Sequence, residues 1–153
     1  GVRTVSIEST DQLFKAVAQE FRQADCLIMA AAPADFAPAR TTRQKIKKAD
    51  VATTLALKPT VDILSQVAGS KKSGQIVVGF ALETQQGLAH AKQKLNEKHL
   101  DMIVLNQPGR NTGFGSDTNR VTVLLPGKKP EAWPLMDKCA VAVKLLEKVA
   151  SLR

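Results

Sequence analysis

The chain has no tyrosine, one tryptophan and five phenylalanines, so aromatic residues fill only 4% of its 153 positions. A core must therefore rest on Val, Leu, Ile and Ala, the aliphatic mixture that suits α/β folds with parallel strands covered on both faces. Cysteine is scarce as well. Cys26 and Cys139 are too few and too far apart for a zinc site or a disulfide framework. Each falls in an apolar pattern, which reads as inert packing and a reduced, cytoplasmic setting. No apolar run reaches the length of a membrane span, and the opening residues do not have a signal-peptide pattern. No G-x-G-x-x-G occurs, so the usual phosphate-binding turn of a dinucleotide fold is missing. No repeat, linker or low-complexity stretch divides the chain, whose length is that of one domain able to bury a core without staples. The net charge of +8 fits nucleic acid or anionic small molecules, but no basic stripe interleaved with aromatics favours nucleic acid.

What is present is a regular alternation of strand and helix signals. Residues 2–7 (VRTVSI) alternate apolar and polar side chains and are rich in β-branched residues, which predicts a strand. Ser9, Thr10 and Asp11 offer N-caps for a helix carrying Leu13, Phe14, Val17, Ala18 and Phe21 at helical spacing. Residues 25–31 read as a second, fully buried strand and 51–57 as a short one. Pro59-Thr60-Val61-Asp62 opens a helix through Val67, with Thr60 as cap and Asp62 in the first turn. After a turn at 71–74, residues 75–80 form the clearest buried strand, and Thr84 then caps a helix through Leu95 to about His99. Residues 101–106 give another buried strand and 107–119 a Gly/Asn-rich loop. Residues 121–125 form a strand turning at Pro126-Gly127, and 141–152 an amphipathic helix.

This order implies a doubly wound, mainly parallel, Rossmann-like sheet whose ligands lie beyond the carboxyl ends of the strands. Those ends carry residues 31–36, 80–84 and Asn106 onward, which are expected to converge on one crevice. The stretch 33–50 is the longest irregular segment and therefore a functional candidate. It begins in small residues closed by Asp35 and Phe36 and ends near Lys45-Ile46-Lys47-Lys48. Small residues admit a ligand to the backbone and lysines supply charge for phosphates. A nucleotide site is the natural reading, although a solvated lysine-rich loop would show the same composition.

The combined motifs resemble phosphopantothenate–cysteine ligase, the second enzyme of coenzyme A synthesis, over nearly the whole chain. The resemblance rests on Ala31-Ala32-Pro33-Ala34-Asp35-Phe36, Lys45-Ile46-Lys47-Lys48, Asp62-Ile63-Leu64 and Val78-Gly79-Phe80-Ala81-Leu82-Glu83-Thr84. It continues through Lys94-Leu95 and Asp101-Met102-Ile103-Val104-Leu105-Asn106 to Phe114-Gly115-Ser116-Asp117-Thr118-Asn119. The order and spacing of these motifs are specific where each one alone is weak. The resemblance implies a CTP-dependent, Mg²⁺-assisted joining of 4′-phosphopantothenate to cysteine through an acyl-cytidylate, with CMP and pyrophosphate as products. It implies a homodimer, fused in the full-length protein to a decarboxylase that alone holds FMN, and no membrane or nucleic-acid partner.

Carried over residue by residue, Lys45 is the catalytic lysine on a mobile flap of about 38–50, and Asp35 contacts the nucleotide. Ala31 and Ala32 let cytosine or ribose approach the main chain, and Val61, Asp62, Ile63 and Leu64 contact CTP near a helix start. Phe80 lies against the base, and Lys94 and Lys98, spaced to share one helix face, reach the triphosphate. Ordinary explanations stand beside each: a loop-capping Asp35, a first-turn Asp62, a core Phe80 and a solvated lysine face. Asn106 is expected only to shape the crevice, and His90 and His99 to be helix-surface residues that nothing pairs with a nucleophile or metal ligands. Three positions depart from the family pattern: Pro33, where Val is common; Val61, where Pro is common; and Leu82, where Ala is common. The family's opening strand and Thr-Asn-x-Ser-Ser-Gly turn do not precede Val2, so 1–153 reads as an N-terminally incomplete ligase domain. A nucleotide-binding fragment without catalysis and a basic nucleic-acid-binding module are the competing readings.

Overall fold

The computed structural model describes residues 1–42, 44, 54–83, 86–106 and 115–153. Lys45-Ile46-Lys47-Lys48, most of the expected flap and Thr84 lie outside the described residues.

Ser9 accepts a hydrogen bond from the Gln12 amide and starts helix α1 (Thr10–Phe21), as expected. The chain then enters β1 (Cys26–Met29), and two short strands, β2 (Phe36–Pro38) and β3 (Leu57–Pro59), pair antiparallel outside the main sheet. Helix α2 (Ile63–Ala68) leads to β4 (Ile76–Leu82), and α3 (Gly87–Glu97) to β5 (Met102–Asn106). The remaining elements are β6 (Thr118–Asn119), β7 (Val121–Leu124), β8 (Glu131–Ala132), β9 (Met136–Asp137) and α4 (Lys138–Ala150). The main sheet has the order β1-β4-β5-β7-β8. Its first three strands are parallel, while β7 pairs antiparallel with β5 and β8 antiparallel with β7.

Side-chain alternation along the strands builds two cores. Val77, Ala81, Ile103 and Leu105 face α1, α2 and α3, where they meet Phe21, Ile63, Val67 and Leu95. Val78, Met102, Val104, Val121 and Val123 face α4 and meet Trp133, Val141, Leu145 and Val149. With helices on both faces, β4 and β5 are buried on both sides, which is why they read as unbroken apolar runs. Both crossovers between parallel strands, through α2 and through α3, lie on the same face and carry the chain steadily across the sheet.

Several boundaries differ from the sequence reading. Residues 2–7 form no strand. They have a strand pattern but no described strand pairs with them, and a lone strand gains nothing by ordering its backbone. Residues 25–31 shorten to Cys26–Met29, and Cys26, Leu27 and Ile28 are half-buried rather than fully buried, because β1 is an edge strand pairing only with β4. The short strand expected at 51–57 is β3, displaced to Leu57–Pro59, with residues 51–53 outside the described set. Helix α2 starts at Ile63 with Asp62, not Thr60, as its cap. The last helix starts at Lys138 because the Asp137 carboxylate accepts from the Ala140 amide. Cys139 is exposed on that helix and packs in neither core. Helix α3 follows Gln86, a left-handed residue whose side chain makes no capping bond.

Gly79 is where α2 and the turn before β5 press closest on the sheet. A Cβ there would lie 2.8 Å from Leu100 Cδ1 and 3.2 Å from Leu64 Cδ1. Leu100 is itself buried and must shift to admit a methyl group. Gly79→Ala is expected to lower stability by about 1–3 kcal/mol through overpacking, read as a lower urea midpoint at unchanged slope.

Candidate functional site

At the end of β1 the chain leaves the sheet through Ala30, Ala31, Ala32, Pro33 and Ala34, residues too small to fill the space above β4. Thr60 holds this loop in place. Its hydroxyl donates to the Ala34 carbonyl at 2.6 Å and its amide to the Asp35 carbonyl at 2.9 Å. The β2–β3 pairing continues that attachment through Phe36 and Pro59. The 31–35 loop and the 60–64 stretch are thereby held side by side as two walls, with the carboxyl end of β4 beneath them. Helix α3 supplies a further side.

The result is a cavity of about 290 Å³ lined by Ala31, Ala32, Asp35, Val61, Asp62, Ile63, Leu64, Phe80, Lys94 and Lys98. Met29, Pro33, Ala34, Thr60, Ala81 and Leu82 complete it. Of the residues singled out in the sequence, ten share this one space; Lys45 lies outside the described residues. Asn106 is not in the lining, but its carbonyl accepts the Glu83 amide at 3.3 Å, and its own buried Oδ1 has no hydrogen-bond partner among the described residues. A second cavity of about 310 Å³ lies between residues 3–7, α1 and β1. Its walls are mostly apolar, and Arg3 and Glu20, its charged residues, pair with each other. It offers no convergent free polar group and is the weaker candidate.

The two lysines are each presented on a carboxylate. Lys98 Nζ lies 2.9 Å from Asp62 Oδ2, and Lys94 Nζ lies 2.6 Å from Glu83 Oε1. Asp62 does two things at once, since its Oδ1 accepts the Ser65 amide at 3.1 Å and caps α2. Burial opposes the charged form of Asp62, but the Lys98 ammonium and the Ser65 amide outweigh it and hold the carboxyl below its ordinary range. Glu83 is held low chiefly by Lys94, against some burial, with His90 adding to the effect. His90 is an exposed residue of α3, as expected, and its Nδ1 sits 3.2 Å from Glu83 Oε2.

Asp35 differs from Asp62 in that its carboxylate takes no hydrogen bond or ion pair from a described residue. Phe80 serves two surroundings, lining the cavity while packing partly against the α4-side core. The roles that sequence reasoning missed are those of Thr60, which pins the loop, and Glu83, which holds Lys94. Eleven positions separate Glu83 from Lys94, across a strand end and a helix start, and no helical or strand period links them. Among the described residues no three His, Cys, Asp or Glu side chains group as a metal cage. No helix among them is long and apolar enough to cross a membrane.

Residues 1–152 match the family model described as the DNA/pantothenate metabolism flavoprotein C-terminal domain. The coenzyme A biosynthesis bifunctional protein CoaBC of Bacillus subtilis (strain 168) is 41% identical over 149 residues, covering 97% of this chain and 36% of that protein. A cysteine/cysteine sulfinic acid decarboxylase from an unknown prokaryotic organism is 38% identical over 154 residues, covering 99% of this chain and 42% of that protein. The crystal structure of the C-terminal domain of a CoaBC protein superposes with a TM-score of 0.78 at 30% identity, over 97% of this chain and 64% of that one. The chain therefore spans less than half the length of these two curated relatives.

The double use of Asp62 makes a stability prediction. Asp62→Ala removes both the α2 cap and the Lys98 partner and should cost about 1 kcal/mol. Asp62→Asn keeps a capping acceptor and should cost less. Because the folded carboxyl titrates below its ordinary 3.8, its contribution is complete above that value and is lost as the pH falls through the lower folded one. Denaturation midpoints followed from pH 7 to pH 2 should fall less steeply in acid for Asp62→Asn than for the parent chain.

Proposed function

The chain belongs to the DNA/pantothenate metabolism flavoprotein C-terminal domain family, and from that membership we propose that its cavity is the CTP site of phosphopantothenate–cysteine ligation. The observation that carries this reading is the meeting, in one space, of a small-residue loop, a half-buried aromatic and two lysines, Lys94 in α3 and Lys98 at its C-cap. Each suits a different part of a nucleotide. The alanine loop lets the base and ribose lie against the main chain, Phe80 offers a ring face, and the lysines answer the phosphates. An ammonium has three donors, so Lys94 and Lys98 keep their carboxylates and still have protons for phosphate oxygens.

In the proposed reaction a 4′-phosphopantothenate carboxylate oxygen attacks the α-phosphorus of CTP, and the bond to the β-phosphate oxygen breaks to release pyrophosphate. The amine of cysteine then attacks the acyl carbon of the resulting acyl-cytidylate, and the acyl–oxygen bond breaks to release CMP. Activation is needed because a bare carboxylate is a poor electrophile. The lysines stabilise phosphate charge as it develops, and the concave walls limit water that would hydrolyse the intermediate. Lys45, on the 38–50 flap, would close over the activated carboxylate.

Magnesium fits as a companion of the substrate and not as a resident ion. Mg²⁺ keeps several waters and is commonly held by one or two carboxylates together with phosphates. Asp35, unpaired among the described residues, is the cavity carboxylate available for that role, while Asp62 is engaged by Lys98 and Ser65. When bound, the ion would neutralise phosphate charge alongside the lysines.

Calorimetry tests the reading. CTP should bind at least about tenfold more tightly than ATP or GTP, a difference near 1.4 kcal/mol, and equal affinities would count against the assignment. Lys98→Gln should weaken CTP by about 1.5–3 kcal/mol, the usual worth of a hydrogen bond to a charged group. Lys45→Gln should abolish phosphopantothenate-dependent pyrophosphate release while changing CTP affinity much less. Tight CTP binding with no such release in the parent chain would leave it the binding role alone. Carbon dioxide released from cysteine or cysteine sulfinate would instead favour the chemistry named for the other relative.

A further inference from the structure

We infer that Glu83 is a positioning residue that fixes the Lys94 ammonium at the cavity, with His90 bracing the far side of its carboxylate. The functional half of this inference rests on the reading of the cavity as a CTP site; the positional half stands on geometry alone.

Glu83 directly follows β4, and its amide bonds the Asn106 carbonyl at 3.3 Å, so its backbone continues the β4–β5 ladder beyond the last pair, Leu82 and Asn106. The start of α3 is pressed against it. A Cβ on Gly87 would lie 3.2 Å from Glu83 Cβ and 3.3 Å from Leu105 Cδ1, so the helix is set at contact distance from the acid it will engage. The Glu83 side chain is 18% exposed and that of Lys94 42%, so the acid is the more buried partner of the pair. Its two oxygens are divided: Oε1 takes Lys94 Nζ at 2.6 Å and Oε2 faces His90 Nδ1 at 3.2 Å. His90 and Lys94 are one helical turn apart on α3, so both contacts come from the same face.

Lysine has a flexible four-carbon stem that ordinarily samples many rotamers. Held at one end by α3 and at the other by an acid anchored to the sheet, Lys94 keeps its ammonium at the cavity with donors left over for an anion. Glu83 itself is not part of the cavity lining. Its effect on a bound triphosphate passes through Lys94.

Double-mutant analysis distinguishes this from a merely structural role. Glu83→Gln should weaken CTP binding by about tenfold in the parent chain and not at all in a Lys94→Gln background, while its effect should multiply with that of Lys98→Gln. Additive effects of Glu83→Gln and Lys94→Gln would overturn the inference. Nitrogen-15 spectra of the lysine ammonium groups supply a readout free of ligand. The Lys94 signal should show slow proton exchange in the parent chain, and in Glu83→Gln it should become like that of exposed Lys92. A Lys94 signal unchanged by the substitution would also overturn the inference. If Glu83→Gln destabilises the fold, Glu83→Asp serves instead, because it keeps the charge but withdraws the carboxylate by one methylene. Failure of the parent chain to bind CTP would remove the cavity reading, and the spectra would then decide the placement of Lys94 by themselves.

Discussion

Everything in this molecule hangs on the parallel pairing of β4 with β1 on one side and β5 on the other. Parallel strands must be reached by crossovers, and two crossovers placed on one face bring α2 and α3 down beside each other. Parallel pairing also sends the carboxyl ends of all three strands to the same edge of the sheet. The irregular chain leaving β1 and β4 therefore opens at one place, and helix α3 returns along it. The cavity is a consequence of this wiring. Gly79 shows how tightly the arrangement is drawn, since the side chains of Leu64 and Leu100 already occupy the space a Cβ would need.

Polar contacts then turn a gap into a built site. Thr60 ties the alanine loop to the segment before α2, which keeps two walls at constant separation. Asp62 joins helix capping to the placement of Lys98, and Glu83 joins the sheet ladder to the placement of Lys94. Both carboxylates remain ionised in the folded chain because the partner cations outweigh burial. The two ammonium groups of this site are thus held by acids rather than left on free-swinging side chains.

The misread elements share a physical cause. Residues 2–7 have the alternation of a strand, yet a strand is a relation between two segments, and no described strand pairs with this one. Thr60 and Asp62 are both good caps by composition. Asp62 is the cap because its Oδ1 meets the Ser65 amide, while Thr60 is directed at the Ala34 carbonyl by a contact spanning 26 positions. Cys139 sits in an apolar pattern but turns outward, since α4 buries the stripe of Val141, Leu145 and Val149 instead.

Composition and periodicity determined that the chain is an aliphatic α/β domain, that β4 and β5 are its centre, and that a crevice opens at the strand ends. Motif order determined the family. These are properties of local sequence, because an apolar run buried on both faces and a loop of small residues look alike wherever they occur. Tertiary structure alone decided which acid meets which base. Lys94 and Lys98 look equivalent in the sequence, but one rests on an acid at the end of β4 and the other on the cap of α2. Their partners are set by crossover geometry, and contacts between distant segments leave no period in the chain that makes them.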